Sequence, residues 1–163
     1  SISNEDETVS IGQEIQYAKS YLTIQKMRYK DKLEFEIDVD PSVNMIPIVK
    51  LVLQPIIENA IYHGLKYKES KGMILVKGYR QGDNAVLEVK DDGVGMDEET
   101  LSHIFEKHKV NYHSNGVGVY NVQKRLVLYY GKDYGLHYQS KKGEGTTVTV
   151  VIPAVGEEHH EKA

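Results

Sequence analysis

The chain has 163 residues, with 24 acidic and 20 basic side chains, a formal net charge of −4 and no cysteine. Such a length gives one domain with a real core, and the mild negative charge argues against a general nucleic-acid or membrane-surface binder. The lack of cysteine excludes disulfides and thiolate metal sites and fits a reducing compartment, while no run reaches the roughly 18 apolar residues of a membrane span.

The first ten residues, SISNEDETVS, are polar, lack an initiator Met and read as a flexible start to a piece of a longer protein. From Ile11 to Tyr29 the residues Ile11, Ile15, Ala18, Leu22 and Gln25 recur at three- or four-residue steps, which predicts an amphipathic helix with Ser10 as its N-cap. KLEFEIDVD (32–40) alternates Leu33, Phe35, Ile37 and Val39 with charged residues and predicts a half-buried strand. Pro47 suits a first helical turn, and IVKLVLQPIIENAIYHG is expected to run as one helix to Gly64, kinked at Pro55. Two strands follow near 73–80 and 85–91, joined by the hairpin signal QGDN. DDGVGMDEETLSHIF reads as a turn and a short helix capped by Asp97, and HKVNYHSNGVGV as a loop. VYNVQKRLVLYYG predicts a helix ending at Gly131, and GLHYQSKK and TTVTVVIP are two strands around KGEG, before a polar tail. The order predicts an α/β (α+β) two-layer sandwich, with a mixed, largely antiparallel sheet of about five strands and helices on one face.

Four features carry candidate chemistry. Asn59, a mediocre helix former, sits at the edge of the stripe Leu53, Ile57, Ala60, Ile61 and Gly64; its amide either bonds solvent or reaches a ligand lying along the helix. In DDGVGMD the Asp-Gly is a turn signal, but Gly93 and Gly95 also permit a flat ring close to the backbone, with Asp91 accepting from an exocyclic amine. NGVGVYNVQKRL places Gly116 and Gly118 where a loop enters a helix; the pair reads either as loop flexibility or as a helix start suited to phosphate. It does not match the dinucleotide fingerprint, which needs a third glycine and a preceding strand. GEGTTV (143–148) alone is a hairpin turn.

Taken in order, LQPIIENAIYHG, DDGVGMD, NGVGVYNVQKRL and GEGTTVTVVIP resemble the ATP-binding fold of histidine kinases, gyrase, Hsp90 and MutL, and most closely the LytS/YesM type of bacterial sensor histidine kinase. The resemblance implies an ATP-binding catalytic domain with ATP and Mg²⁺ as cofactors. It makes Asn59 a Mg²⁺ ligand and Asp91 the acceptor of the adenine amine, with Gly93 and Gly95 beneath the base. The loop 106–115 corresponds to a lid, and Gly116, Val117 and Gly118 wrap the phosphates. Thr146 or Thr147 supports the adenine site, and His63 and Lys66 are candidate phosphate contacts.

The sequence departs from the family in three places. Tyr62 stands where many relatives have Lys, so that charge would come from Lys66, Lys107 or Lys109. The lid has few apolar anchors. Pro55 occupies the position of the water-activating Glu of the hydrolytic relatives, and Glu58 is about 100° round the helix from Asn59, so rapid hydrolysis is not expected. No His-Phe-x-Phe-Asn-like phosphoacceptor run is present. The expected organisation is therefore a flexible segment 1–10, a helix 11–30 linking to an absent dimerisation and phosphoacceptor region, the ATP-binding domain 31–155, and a flexible tail 156–163. The implied partners are that phosphoacceptor domain and a response regulator. The fragment would be a monomer, cytoplasmic, and part of a homodimeric membrane sensor.

Overall fold

The computed structural model describes residues 7–106 and 117–154. Strand β1 (Thr8–Ser10) leads into helix α1 (Ile11–Tyr29), whose first turn is capped as expected, with the Gln13 amide donating to Ser10 Oγ at 3.1 Å. Its buried face, Ile11, Ile15, Ala18 and Leu22, is the stripe the spacing predicts. Strands β2 (Leu33–Val39) and β3 (Pro47–Val49) come next, then α2 (Leu53–Asn59), which passes directly into a π-helical segment, Ala60–Leu65. The hairpin β4 (Gly72–Gln81) and β5 (Asn84–Asp91) turns through Gly82 at φ +59°, as QGDN predicts. Helix α3 (Glu98–Ser102) is capped by Asp97 Oδ1, which accepts from the Thr100 amide at 2.8 Å. Helix α4 (Val117–Tyr130) ends at Gly131, φ +107°, and the hairpin β6 (Gly135–Lys141) and β7 (Gly145–Pro153) completes the chain.

The main sheet has the order β2-β4-β5-β7-β6, with β2 and β4 parallel and every other neighbour antiparallel. This is the mixed, largely antiparallel five-stranded sheet the pattern predicts. The inward-facing residues of β4, β5 and β7, including Ile74, Val76, Val89, Val148 and Val150, form one core with Leu22 of α1, Ile57 of α2 and Val122 and Leu126 of α4.

Two expectations fail at the start of the Asn-bearing helix. Residues 47–49 are not helical but a strand, and 8–10, expected to be flexible, pair with them antiparallel in the register Thr8↔Val49 and Ser10↔Pro47. The apolar run IVKLVL does not distinguish helix from strand by itself, and the partner that decides it lies some 40 positions upstream. Leu51, with φ +60°, then breaks the chain direction before Leu53. Pro55 consequently falls in the first turn of α2 rather than mid-helix, where its missing N–H has no partner to lose and no kink is forced.

Side chains of α1 and α4 hold the turn at 49–53, together with the Lys50 amide, which donates to the Glu7 carbonyl at 3.1 Å. The buried Glu14 carboxylate of α1 accepts from the amides of Leu51, Val52 and Leu53 at 2.6, 3.2 and 3.2 Å. Arg125 of α4 donates to the carbonyls of Lys50 and Leu51 at 2.6 and 2.7 Å. Tyr130 Oη accepts from the Val49 amide at 3.1 Å. A carboxylate at a helix N-terminus satisfies otherwise orphaned donors and meets the positive end of the dipole, so α1 and α4 together fix where α2 begins.

Candidate functional site

A cavity of about 290 Å³ lies between the α2–π segment and the sheet. The helical wall is Ile56, Asn59, Ala60, His63 and Gly64, and the sheet contributes Val89, Asp91, Tyr138, Thr146 and Val148. Gly95, Met96 and the α3 region, through Thr100, His103 and Ile104, close the third side.

Asp91, the last residue of β5, is 4% exposed. Its Oδ1 accepts from the Gly93 amide at 2.9 Å, and the Thr146 amide also stabilises its ionised form. Burial outweighs both, with Asp92 adding to the effect, and pushes the carboxyl up from 3.8 to about 6. At neutral pH the ionised form prevails, so the cavity holds a desolvated acceptor.

The glycines also have a reason in the packing of the backbone. A β-carbon on Gly93 would lie 2.1 Å from the Gly64 carbonyl oxygen, and one on Gly95, at φ +68°, 2.0 Å from that of Lys141. Close backbone packing thus requires glycine at both positions; Gly95 lines the cavity and Gly93 does not. A β-carbon on Gly64 would sit 2.7 Å from Asp91 Oδ1, so the π segment approaches the carboxylate closely only because of that glycine. Widened turns of this kind recur at functional sites. Here the segment ends with the Gly64 carbonyl accepting from the Val94 amide at 3.0 Å, which ties helix and loop together.

Asn59 and His63, one turn apart, both face the cavity. Burial first, and Lys66 second, hold the His63 imidazole below its usual value, so it is neutral near pH 7. Lys66 is exposed, outside the cavity wall, with its ammonium 5.7 Å from the centre of the Tyr67 ring. Thr146 lines the cavity and Thr147 does not, as strand alternation requires. Gly118 lies in the first turn of α4, where a β-carbon would meet Pro55 Cβ at 3.4 Å. Val117 begins that helix; Gly116 and most of the lid, with Lys107 and Lys109, lie outside the described residues. Glu58 points elsewhere, bonded to Gln54 at 3.2 Å and close enough to Tyr21 to help push its phenol up to about 12.

Sequence reasoning missed two residues. Ser140 Oγ accepts from the Met96 amide at 2.9 Å and bonds Thr146 Oγ1 at 2.7 Å, pinning the 92–97 loop to the last hairpin. Tyr138, read only as part of a strand, places its hydroxyl out of solvent at the cavity wall. Alternation in GLHYQSKK was the available signal, since it puts Leu136, Tyr138 and Ser140 on one face.

Among the described residues no three His, Asp or Glu side chains gather to hold a metal. An amide oxygen such as that of Asn59 fits Mg²⁺, which accepts few protein ligands when phosphate oxygens and water supply the rest.

This geometry is that of a nucleotide-binding ATPase module, and the comparisons agree. Residues 47–156 match the model of the histidine kinase-, DNA gyrase B- and HSP90-like ATPase family, and residues 1–33 match a histidine kinase model. The chain is 31% identical over 157 residues to the sensor histidine kinase YesM of Bacillus subtilis, with 96% of this chain and 26% of the relative covered. It is 33% identical over 149 residues to the sensor histidine kinase YpdA of Escherichia coli, covering 91% and 25%. The chain thus spans about a quarter of the length of these relatives. Among solved structures, the catalytic domain of the histidine kinase ThkA superposes with a TM-score of 0.71 at 17% identity, over 93% of this chain and 97% of that one. The chain belongs to the histidine kinase-, DNA gyrase B- and HSP90-like ATPase family. No helix among the described residues is long and apolar enough to cross a membrane.

Proposed function

We propose that this chain holds Mg·ATP so that its γ-phosphate is presented to a histidine on a region outside the chain, as the catalytic domain of a two-component sensor kinase. The observation that carries this reading is the pairing, in one cavity, of a desolvated carboxylate at Asp91 with the Asn59 amide on the facing helix. Asp91 accepts from the adenine amine, helped by the Thr146 side of the wall. Asn59 offers its oxygen to Mg²⁺, which supplies charge neutralisation on the phosphates when bound. A cavity of about 290 Å³ suits a base and sugar, leaving the triphosphate to run toward Gly116, Val117 and Gly118 at the start of α4, with His63 and Lys66 as further contacts. Such a site works by positioning rather than by covalent chemistry.

Transfer to histidine is favoured over hydrolysis by water. Pro55 has no basic group, and Glu58 is turned to Gln54 and Tyr21, so no carboxylate on α2 is placed to activate a water beside Asn59. The acceptor region, a downstream response regulator, a homodimeric full-length protein in the membrane with this domain in the cytoplasm, and a monomeric isolated domain complete the proposal. Incubated with ATP labelled at the γ position, the longer protein should become labelled on histidine, and this chain alone should not. Sustained ATP turnover by this chain alone would favour a clamp-type ATPase instead.

A further inference from the structure

Within that site one group is left unexplained by the roles already given. The Tyr138 hydroxyl is buried and has no hydrogen-bond partner among the described residues. Its polar neighbours are the Asn59 side chain, which favours its ionised form, and the Asp91 carboxylate, which opposes it, and its ring is held edge-on to Phe105 with centroids 5.7 Å apart. Tyr138 stands opposite Val148 on the edge of the sheet, where a valine or isoleucine would fill the same wall without a polar atom. An orphaned buried hydroxyl is a standing cost to the fold, and such groups are rare unless a ligand completes them.

The geometry points to Tyr138 as a second base-reading residue: its hydroxyl donates to the ring nitrogen beside the exocyclic amine of adenine, while Asp91 accepts from the amine itself. This rests on the nucleotide reading of the cavity. A phenol keeps its proton throughout the neutral range, so the group is a donor there. The two side chains then present one donor and one acceptor side by side. That matches an amine next to a bare ring nitrogen, and opposes guanine, which carries a carbonyl and an N–H along its Watson–Crick edge.

Tyr138→Phe removes only the hydroxyl and separates the two possible roles. With no ligand, the variant should melt about 2–4 °C higher, because an unsatisfied polar atom is gone. It should bind ATP about tenfold more weakly by calorimetric titration, the worth of one hydrogen bond in a closed site. Titration with the 1-deaza and 7-deaza analogues of ATP identifies the atom. The 1-deaza analogue should lose about tenfold on wild type and nothing further on the variant, and the 7-deaza analogue should bind wild type as ATP does. A lower melting temperature would mean the hydroxyl has a partner in the fold. Unchanged ATP affinity, or equal losses for ATP and both analogues on the variant, would overturn the base-reading role and leave the nucleotide site standing. If wild type bound no adenine nucleotide, the reading of the cavity would fall, and this role with it.

Discussion

At the scale of single residues, Asp91 carries the strongest physical signature. Its carboxyl is raised in the fold from 3.8 to about 6, so the folded chain holds a proton that the unfolded chain releases earlier. The sign follows from linkage. Asp91 costs nothing where both states are protonated, stability is lost as pH rises from about 4 to about 6, and the loss persists above that. A shift of about two units at a site 4% exposed corresponds to a loss on the order of 3 kcal/mol. Measured by denaturant titration against Asp91→Asn, which lacks the ionisation, the relative stability of wild type should fall by that order across the window. A difference that stayed flat from pH 4 to pH 7 would show that Asp91 is not desolvated. A protein that tolerates an ionised, buried carboxylate near neutral pH keeps it for something other than the stability of the fold.

At the scale of elements, the decisive contacts are those that set the start of α2 and, through it, the direction in which Asn59 and His63 face. Glu14 accepts from three consecutive amides there, and Arg125 ties down the two preceding carbonyls. Glu14→Ala leaves those amides without a partner and should cost about 3 kcal/mol of unfolding free energy in a urea titration. A loss below about 0.5 kcal/mol would mean water takes over the cap and α1 does not hold the turn.

These contacts also show what the sequence could and could not tell. Helix α1, the two hairpins and the caps at Ser10, Asp97 and Gly131 were legible because each depends on local spacing or on one side chain answering a nearby amide. The strand at 47–49 and the late start of α2 were not, because they depend on Thr8–Ser10 and on Glu14, contacts no local pattern announces. The π segment was hidden for the same reason. It is set by Gly64 seated against Asp91 and Gly93, residues nearly 30 positions apart in the chain. Asn59, Asp91 and Thr146 were found by motif and do share the cavity wall, whereas Lys66, Gly93 and Thr147 lie outside it. Alternation puts Tyr138 and Ser140 on one face of their strand, but a tyrosine or serine in an edge strand looks like ordinary surface until the cavity is seen behind it.

At the scale of the whole molecule, the sheet supplies an acceptor at the end of β5 and the helical layer supplies an amide facing it. Both are fixed by buried packing rather than by loops, which is how a site holds its groups at a set distance. Helix α1 is part of the same body, since its buried face joins the core and Glu14 reaches α2. The central claim is that this body binds Mg·ATP through Asp91 and Asn59, and calorimetric titration of the chain with ATP, with and without Mg²⁺, tests it most directly. Wild type should bind, Asp91→Asn should lose binding with or without the metal, and Asn59→Ala should keep nucleotide binding while losing most of its Mg²⁺ dependence. Binding by Asp91→Asn that equals wild type, or a Mg²⁺ dependence untouched in Asn59→Ala, would contradict the account.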